Sequence, residues 1–336
     1  MKVSFLVTYY NQEQYVSKSI ESILAIDKDF EWEILVGDDG STDSTTSEIK
    51  KYIELYPNRI KLFVIPRELK ARYHSVKRAS ENRLTLLEHA EGDFFCVLDG
   101  DDFYCDKYFV KQALQIFEND RNIATVAYGY CYFTNEELQK AVIIPEEGNK
   151  PYVNKIGYLR DLYVHAGACV YRKAFGIERI REIKRIGYFD DNDIVINNLC
   201  YGEMVTVGRT IYAYRQTGFS VYTGMTYLEQ AVLNVQGYDV DCNIAPQFKE
   251  ELLYRNRREI LFTYFMRHRI KQSLGEKWKL YVEESKSISH SLVSSILDYD
   301  NLEREKKHFI DCLAFKLIWK YKKTTIEVLS QCLKGR

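Results

Sequence analysis

Proline is scarce in this chain, at 5 of 336 residues, and glycine reaches only 17. That excludes a collagen-like or linker-rich polymer. Charge of one sign is also missing: 47 basic residues stand against 48 acidic ones, a formal net charge of -1. A dedicated nucleic-acid binder normally shows a basic excess, so nucleic acid is not an expected partner. No run approaches the ~18 apolar residues of a membrane span. The opening MKVSFLVTYYNQEQ turns polar too soon for a signal peptide. The eight cysteines, at 96, 105, 131, 169, 200, 242, 312 and 332, form no C-x-x-C and have irregular gaps. That pattern argues against a zinc ribbon or disulfide scaffold, and the cysteines read as buried reduced thiols of a cytoplasmic protein. What is present is globular composition, 46% apolar and 28% charged, on a chain long enough for a substantial core. The 27 tyrosines and 17 phenylalanines are expected mainly in core and sheet, with some free to stack on bases or sugar rings.

The first 130 residues alternate strand-like and helix-like patterns. Short apolar runs at 3–8, 33–37, 60–65 and 94–98 read as buried strands. Helical periodicity at 12–24, 41–56, 82–90 and 107–118 separates and follows them, with Asp106 expected to cap the last. Such alternation predicts an α/β fold with a mixed, mostly parallel sheet carrying helices on both faces. From 124 to 215 the pattern becomes richer in strands, at 124–133, 168–171, 204–207 and 211–214, with a helix at 193–201. Beyond about 230 only helical patterns remain, at 229–271 and 303–333. The expected organisation is a catalytic domain over 1–230, divided into a nucleotide-binding half (1–125) and an acceptor half (126–230). A helical C-terminal region would cover 231–336.

Three polar motifs follow predicted strands, where ligands bind in open α/β sheets. They are Thr8-Tyr9-Tyr10-Asn11, then Asp38-Asp39-Gly40-Ser41-Thr42-Asp43, then Leu98-Asp99-Gly100-Asp101-Asp102. Three carboxylates within four residues at a buried strand end raise one another's pKa unless a positive charge neutralises them. Mg²⁺ or Mn²⁺, hard ions that prefer oxygen ligands, would do so. The plainer alternative is a solvated acidic turn. Asp38 and Asp39 could likewise be turn residues before a helix, or could accept hydrogen bonds from a base or a ribose. Tyr10 could pack on a nucleobase.

The order TYYN, DDGSTDS, LDGDD resembles the family 2 glycosyltransferases, GT-A enzymes that use nucleotide-diphospho-sugars. The stretch ENRLTLLEHAEGDFFCVLDGDDFYCDKYFVKQ is similar to the polysaccharide-assembly branch of that family. The resemblance covers about 3–135 well and 160–220 loosely. It implies that Thr8, Tyr10 and Asp39 hold the nucleotide base, that Asp99 touches ribose or the metal's surroundings, and that Asp101 ligates the metal, with Asp102 a lesser candidate. It also implies a catalytic base in an acidic pair ahead of a helix. Here that position is Phe189-Asp190-Asp191-Asn192-Asp193, a run of three aspartates where the family usually has Glu-Asp. Helix capping is expected to account for one of them at most, leaving Asp191 as first choice of base, Asp193 second and Asp190 third. Arg215, in YRQTGFS, would meet a phosphate or pair with the acidic cluster, and His165 would contact acceptor or diphosphate or be structural.

The basic segment 66–80, PRELKARYHSVKRAS, reads as a solvated loop or as a flap near phosphates. Residues 312–336 carry Lys316, Lys320, Lys322, Lys323, Lys334 and Arg336 against Glu327 alone. Interleaved with apolar residues, they suit a helix on the inner membrane surface, a helix packed on the catalytic domain, or a homodimer contact. The activity expected is metal-dependent, inverting transfer of a sugar from a nucleotide diphosphate, UDP first, to a growing surface glycan or lipid-linked glycan. The alternatives are a nucleotidyltransferase, weakened by the absence of a glycine-rich basic loop after the first strand, and a non-catalytic nucleotide-sugar-binding subunit.

Overall fold

The computed structural model describes residues 1–67, 75–142, 144, 152–153, 155–217 and 224–333. Lys70 and Arg72 of the basic segment, Gly218-Phe219-Ser220, and Lys334 and Arg336 lie outside them. The chain divides into two compact units. One comprises Met1–Tyr158 with Leu162–Thr217, and the other Leu159–Asp161 with Gly218–Arg336.

The first unit begins β1 (Lys2–Tyr9), α1 (Val16–Leu24), β2 (Glu31–Asp38), α2 (Thr45–Leu55), β3 (Ile60–Val64), α3 (Ser75–His89) and β4 (Phe94–Asp99). It continues β5 (Phe103–Tyr104), α4 (Phe109–Asn119), β6 (Ile123–Thr134), β7 (Glu137–Val142), β8 (Tyr152–Val153) and α5 (Lys155–Arg160), whose last two residues count with the second unit. It ends β9 (Cys169–Arg172), α6 (Ile177–Ile186), α7 (Asp191–Leu199) and β10 (Glu203–Arg215). One sheet runs β3-β2-β1-β4-β9-β6-β10-β5, with β7 beside β6 and β8 beside β10. The first four strands are mutually parallel. The antiparallel β9 joins β4 to β6, and β10 lies parallel to β6. The sheet is thus mixed and mostly parallel, as expected.

β1 lies inside this sheet because both of its faces are apolar: Val3, Phe5 and Val7 are fully buried, and so is Leu6 on the opposite face. Each such side chain contributes ~1.5–3 kcal/mol by leaving water. Register places the ends of three strands side by side, since Thr8 pairs with Gly37 on one flank and with Asp99 on the other.

Several boundaries differ from the sequence reading. Strands expected at 204–207 and 211–214 are one strand, β10, whose pairing with β6 slips between Val207 and Thr210. A bulge of this kind breaks the alternation of side chains without ending the strand. The third helix begins at Ser75 rather than 82. Asp106 is not a helix cap; its carboxylate accepts from Tyr108 N at 2.7 Å, a local turn, and pairs with Arg209 at 2.6 Å. Of the cysteines only Cys96, Cys131 and Cys169 are buried, whereas Cys105 and Cys312 are exposed, so burial of all eight does not hold. All eight are free thiols.

The second unit is helical: α8 (Tyr227–Ile244), α9 (Lys249–Arg255), α10 (Arg257–Leu274), α11 (Lys277–Glu284), α12 (Leu292–Leu297), α13 (Arg304–Lys320) and α14 (Lys322–Leu333). α8 starts where Thr226 and Glu229 form a reciprocal capping box, ahead of the 230/231 boundary drawn from the sequence. Asp239 on α8 accepts from Leu292 N at 2.7 Å and Val293 N at 2.8 Å, satisfying the first amides of α12. Among the described residues no helix is long and apolar enough to cross a membrane.

Candidate active site

The three sequence motifs meet at the carboxyl ends of β1, β2 and β4. Asp39 N donates to Tyr9 O at 2.9 Å and Gly100 N to Thr8 O at 2.9 Å, so each loop is tied to the end of β1. Thr8 Oγ1 donates to Asp99 Oδ1 at 3.2 Å. The loops after β1 and β2 are also stitched together, through Asn11 N to Ser41 Oγ at 2.9 Å and Thr42 N to Asn11 Oδ1 at 2.8 Å. Asp38 is bonded within its own segment by Ser41 and Thr46, whereas Asp39 is turned to arginines from outside that loop. Gly100 is required by close approach: a Cβ there would sit 2.1 Å from Tyr9 Cδ1.

Helix α3 sends side chains to the ends of β2 and β4. Arg78 Nε donates to Asp39 Oδ1 at 2.7 Å, and Asn82 Nδ2 to Gly37 O at 3.1 Å. Arg67 also pairs with the Asp39 carboxylate, and its guanidinium lies 3.7 Å from the centre of the Tyr10 ring. Tyr10 is exposed beside it, at 42%. Tyr10, Arg67 and Asp39 therefore form one aromatic and polar corner, of a kind that suits a flat heterocycle with hydrogen-bonding edges.

Arg83, from the same helix, was not among the sequence candidates. Its Nη2 lies 3.1 Å from Asp99 and 3.0 Å from Asp191, and its Nη1 lies 3.2 Å from Asp190. The signal for it was a charged residue on the helix face of Leu87, four positions on, and both are buried. Burial opposes the Arg83 charge, but the three carboxylates more than hold it. The segment ahead of α7 is docked on α3 by Phe189 N donating to Ser80 Oγ at 2.9 Å.

That segment divides its aspartates by role. Asp190 caps α7 and Asp193 reaches back to Asp190 N at 2.7 Å, a reciprocal capping box. Capping thus takes two of the three, not the one expected, and it directs Asp193 into the helix end. Asp191, the first residue of α7, is turned to Arg83. Burial pushes its pKa up to about 7, Arg83 works against that rise, and Asp190 and Asp99 add to it.

The Asp99 to Asp102 run is similarly sorted. Burial works against the Asp99 charge, yet Arg83 and His165 hold its pKa below the usual carboxylate range. Asp101 rises to about 6, through burial and the Asp99 charge. Asp102 is buried; its carboxylate accepts from Tyr212 OH at 2.5 Å and from Arg215 N at 2.7 Å. Its pKa is pushed well up by burial and by Asp101 and Asp99. Its oxygens thus tie the strand end to β10, and Asp101 is the better placed of the two for a metal ion. Arg215 Nε donates to Asp101 O at 2.8 Å, while its guanidinium packs 4.6 Å from the Phe133 ring centre. His165 Nδ1 accepts from Gly167 N at 3.1 Å. Burial lowers its pKa to about 4, so it is neutral near pH 7.

Arg67 and Arg78 therefore face Asp39, while among the described residues Asp99, Asp190 and Asp191 share Arg83 alone, and Arg215, near Asp101, is already paired with Glu136 at 3.1 Å. Such a cluster is under-neutralised and would repel a diphosphate. Among the described residues no three His, Cys, Asp or Glu side chains are grouped as a metal site. A hard divalent cation here, which would reverse the local sign, would therefore rest on one or two carboxylates, the kind of oxygen donor that Mg²⁺ and Mn²⁺ take.

Residues 4–176 match the model of glycosyl transferase family 2. The chain belongs to that family. It is 30% identical over 189 residues to the protein named EpsE of Bacillus subtilis (strain 168), covering 56% of this chain and 64% of EpsE. It is 31% identical over 145 residues to the Escherichia coli UDP-Glc:alpha-D-GlcNAc-diphosphoundecaprenol beta-1,3-glucosyltransferase WfgD, covering 43% of this chain and 52% of WfgD. The matches thus span less than two thirds of those relatives. The structure of S. aureus TarS 1-349 in complex with UDP-GlcNAc superposes with a TM-score of 0.57 at 17% identity, covering 100% of this chain and 93% of that one. The fold is the GT-A fold.

Proposed function

We propose that this family 2 chain catalyses metal-dependent, inverting transfer of a sugar from a UDP-sugar to a hydroxyl of a growing surface glycan, carried on a lipid diphosphate. One observation carries the reading: Asp191, at the start of α7, shares the Arg83 guanidinium with Asp99 at the end of β4, and its pKa is pushed up to about 7. A base with that pKa is half ionised near neutral pH, where general-base catalysis is most effective. The names of WfgD and of the UDP-GlcNAc complex of TarS support a UDP-linked donor, and that of WfgD supports a lipid-diphosphate acceptor.

In this proposal Asp39 and Thr8 orient the nucleoside, and the Tyr10 ring packs on its base. Asp99 holds the ribose side, and Asp101, with Asp102 behind it, would hold Mg²⁺ or Mn²⁺. When bound, that ion supplies Lewis-acid stabilisation of the departing diphosphate. Arg215 positions Asp101 through its backbone carbonyl and would meet a phosphate in exchange for Glu136, its partner at 3.1 Å. Asp191 accepts the proton of the acceptor hydroxyl as that oxygen forms a bond to the anomeric carbon and the bond to UDP breaks. A single displacement of this kind inverts the anomeric centre. Arg83 keeps Asp191 ionisable, and Asp193 holds the helix end that presents it.

The test is a thermal-shift panel of nucleotide-sugars with and without Mn²⁺. A ligand that binds only the folded chain raises Tm. A UDP-sugar is expected to give the largest rise, and only with the metal. Equal shifts for all nucleotides, or shifts indifferent to metal, would contradict the donor assignment.

A further inference from the structure

The second unit leaves a large apolar face uncovered. α13 buries Ile310, Ala314 and Leu317 on one side, so residues about half a turn away point outward. Those outward residues include Phe309, Phe315 and Trp319, which are 64%, 66% and 68% exposed. α14 buries Thr325 and Val328 and leaves Ile326 and Leu333 at 69% and 88% exposed. Ile326, Leu329, Ser330 and Leu333 line one shallow open groove. Isolated exposed apolar residues are ordinary, but aromatic and aliphatic side chains concentrated on two consecutive helices are not.

Charge says what would cover this face. Lys316, Lys320, Lys322 and Lys323 are all exposed among the apolar residues. Lys322 Nζ lies 4.7 Å from the Trp319 ring centre, so the basic and aromatic elements continue across the break at Tyr321. Glu327, the acid of α14, is taken by Arg258 at 2.5 Å. On α13, Glu305 lies in the first turn, away from the lysines, and Asp311 is taken by the hydroxyls of Tyr264 and Tyr299, each at 2.7 Å. A second copy docking through the same face in a two-fold dimer would bring these lysines toward their own counterparts. An anionic lipid surface instead meets lysines with phosphates and lets Phe315 and Trp319 enter the boundary with the acyl chains.

We infer that the α13–α14 face docks the protein on an anionic membrane surface, peripherally, with Phe315, Trp319 and Ile326 as apolar anchors and the four lysines as the electrostatic part. The inference stands apart from the sugar-transfer reading, because it uses no residue of the candidate site.

The test is co-sedimentation of the full chain with phosphatidylcholine vesicles, alone and mixed with phosphatidylglycerol. Binding is expected only to the mixed vesicles, and it should weaken as salt is raised. Phe315→Ser with Trp319→Ser, both at exposed positions, should cut that binding by about tenfold or more at unchanged circular dichroism and Tm. Lys320→Glu with Lys323→Glu should do the same while leaving the aromatics in place. Equal sedimentation of the wild type and both variants would overturn the inference. So would absence of binding to the mixed vesicles, or a solution dimer that Phe315→Ser with Trp319→Ser converts to monomer.

Discussion

Arg83 stands between Asp99 and Asp191, with the same guanidinium nitrogen 3.1 Å from one carboxylate and 3.0 Å from the other. The two aspartates are remote in sequence and belong to different elements, the end of β4 and the start of α7. One buried cation thus fixes the distance between the proposed donor side and the proposed base, and it sets the charge state of both.

Removing that cation should act on pH dependence as well as on stability. Arg83 lowers the pKa of Asp191, so Arg83→Ala should move the acidic limb of the pH–rate profile to higher pH. The cost in stability is expected at about 1–3 kcal/mol, below the ~3–5 kcal/mol of a fully buried pair. The discount follows from exposure, since the Asp190 and Asp191 side chains are 56% and 34% open to solvent. Arg83→Lys should keep the limb near its wild-type position. A profile unchanged in Arg83→Ala would remove Arg83 from this role.

Asp191→Asn should leave UDP affinity nearly intact while transfer falls by about 10²–10⁴-fold. Full transfer in this variant would pass the proton to another group. Asp193→Asn should instead lower Tm, because its carboxylate accepts from the Asp190 amide that begins α7.

Stability against pH follows from the same groups. Asp191 and Asp101 have pKa values raised from 3.8 to about 7 and about 6 in the folded chain. Between pH 4 and pH 7 the folded state therefore holds more protons than the unfolded one, and stability falls as pH rises through that window. Asp191→Asn removes part of this penalty, so its Tm should exceed the wild type's at pH 8 and match it at about pH 4. Melting curves at the two pH values check this; a Tm difference independent of pH would contradict the assignment of the raised pKa to Asp191.

Gly100→Ala should destabilise by about 1–3 kcal/mol, because the new methyl must displace the Tyr9 ring or the loop that carries Asp99 and Asp101. Denaturant unfolding measures it directly. Wild-type stability would show that the loop yields without cost.

Much of this was legible in the chain. The buried runs of β1, β2 and β4 are continuous apolar stretches, and the polar motifs begin where those stretches stop, so Thr8, Asp39, Asp99 and Asp101 could be placed at strand ends before any coordinates. Arg83 could not be singled out, because α3 offers Lys77, Arg78 and Arg83, and only tertiary packing decides which meets which carboxylate. The division among Asp190, Asp191 and Asp193 was hidden for a similar reason: a capping box is written in side-chain direction, which one run of aspartates does not reveal. β5, two residues long, exists through its pairing with β10. The helix α6 is legible in the spacing of its buried Ile180 and Ile183.

The central claim is that the strand ends and the acidic loop after β4 form one metal-assisted nucleotide site. Calorimetric titration of UDP into wild type and Asp101→Ala, each with Mn²⁺ and with chelator, addresses it most directly. The account predicts that Mn²⁺ tightens UDP binding at least about tenfold in wild type and leaves it unchanged in Asp101→Ala. Equal UDP affinity in all four titrations would contradict it.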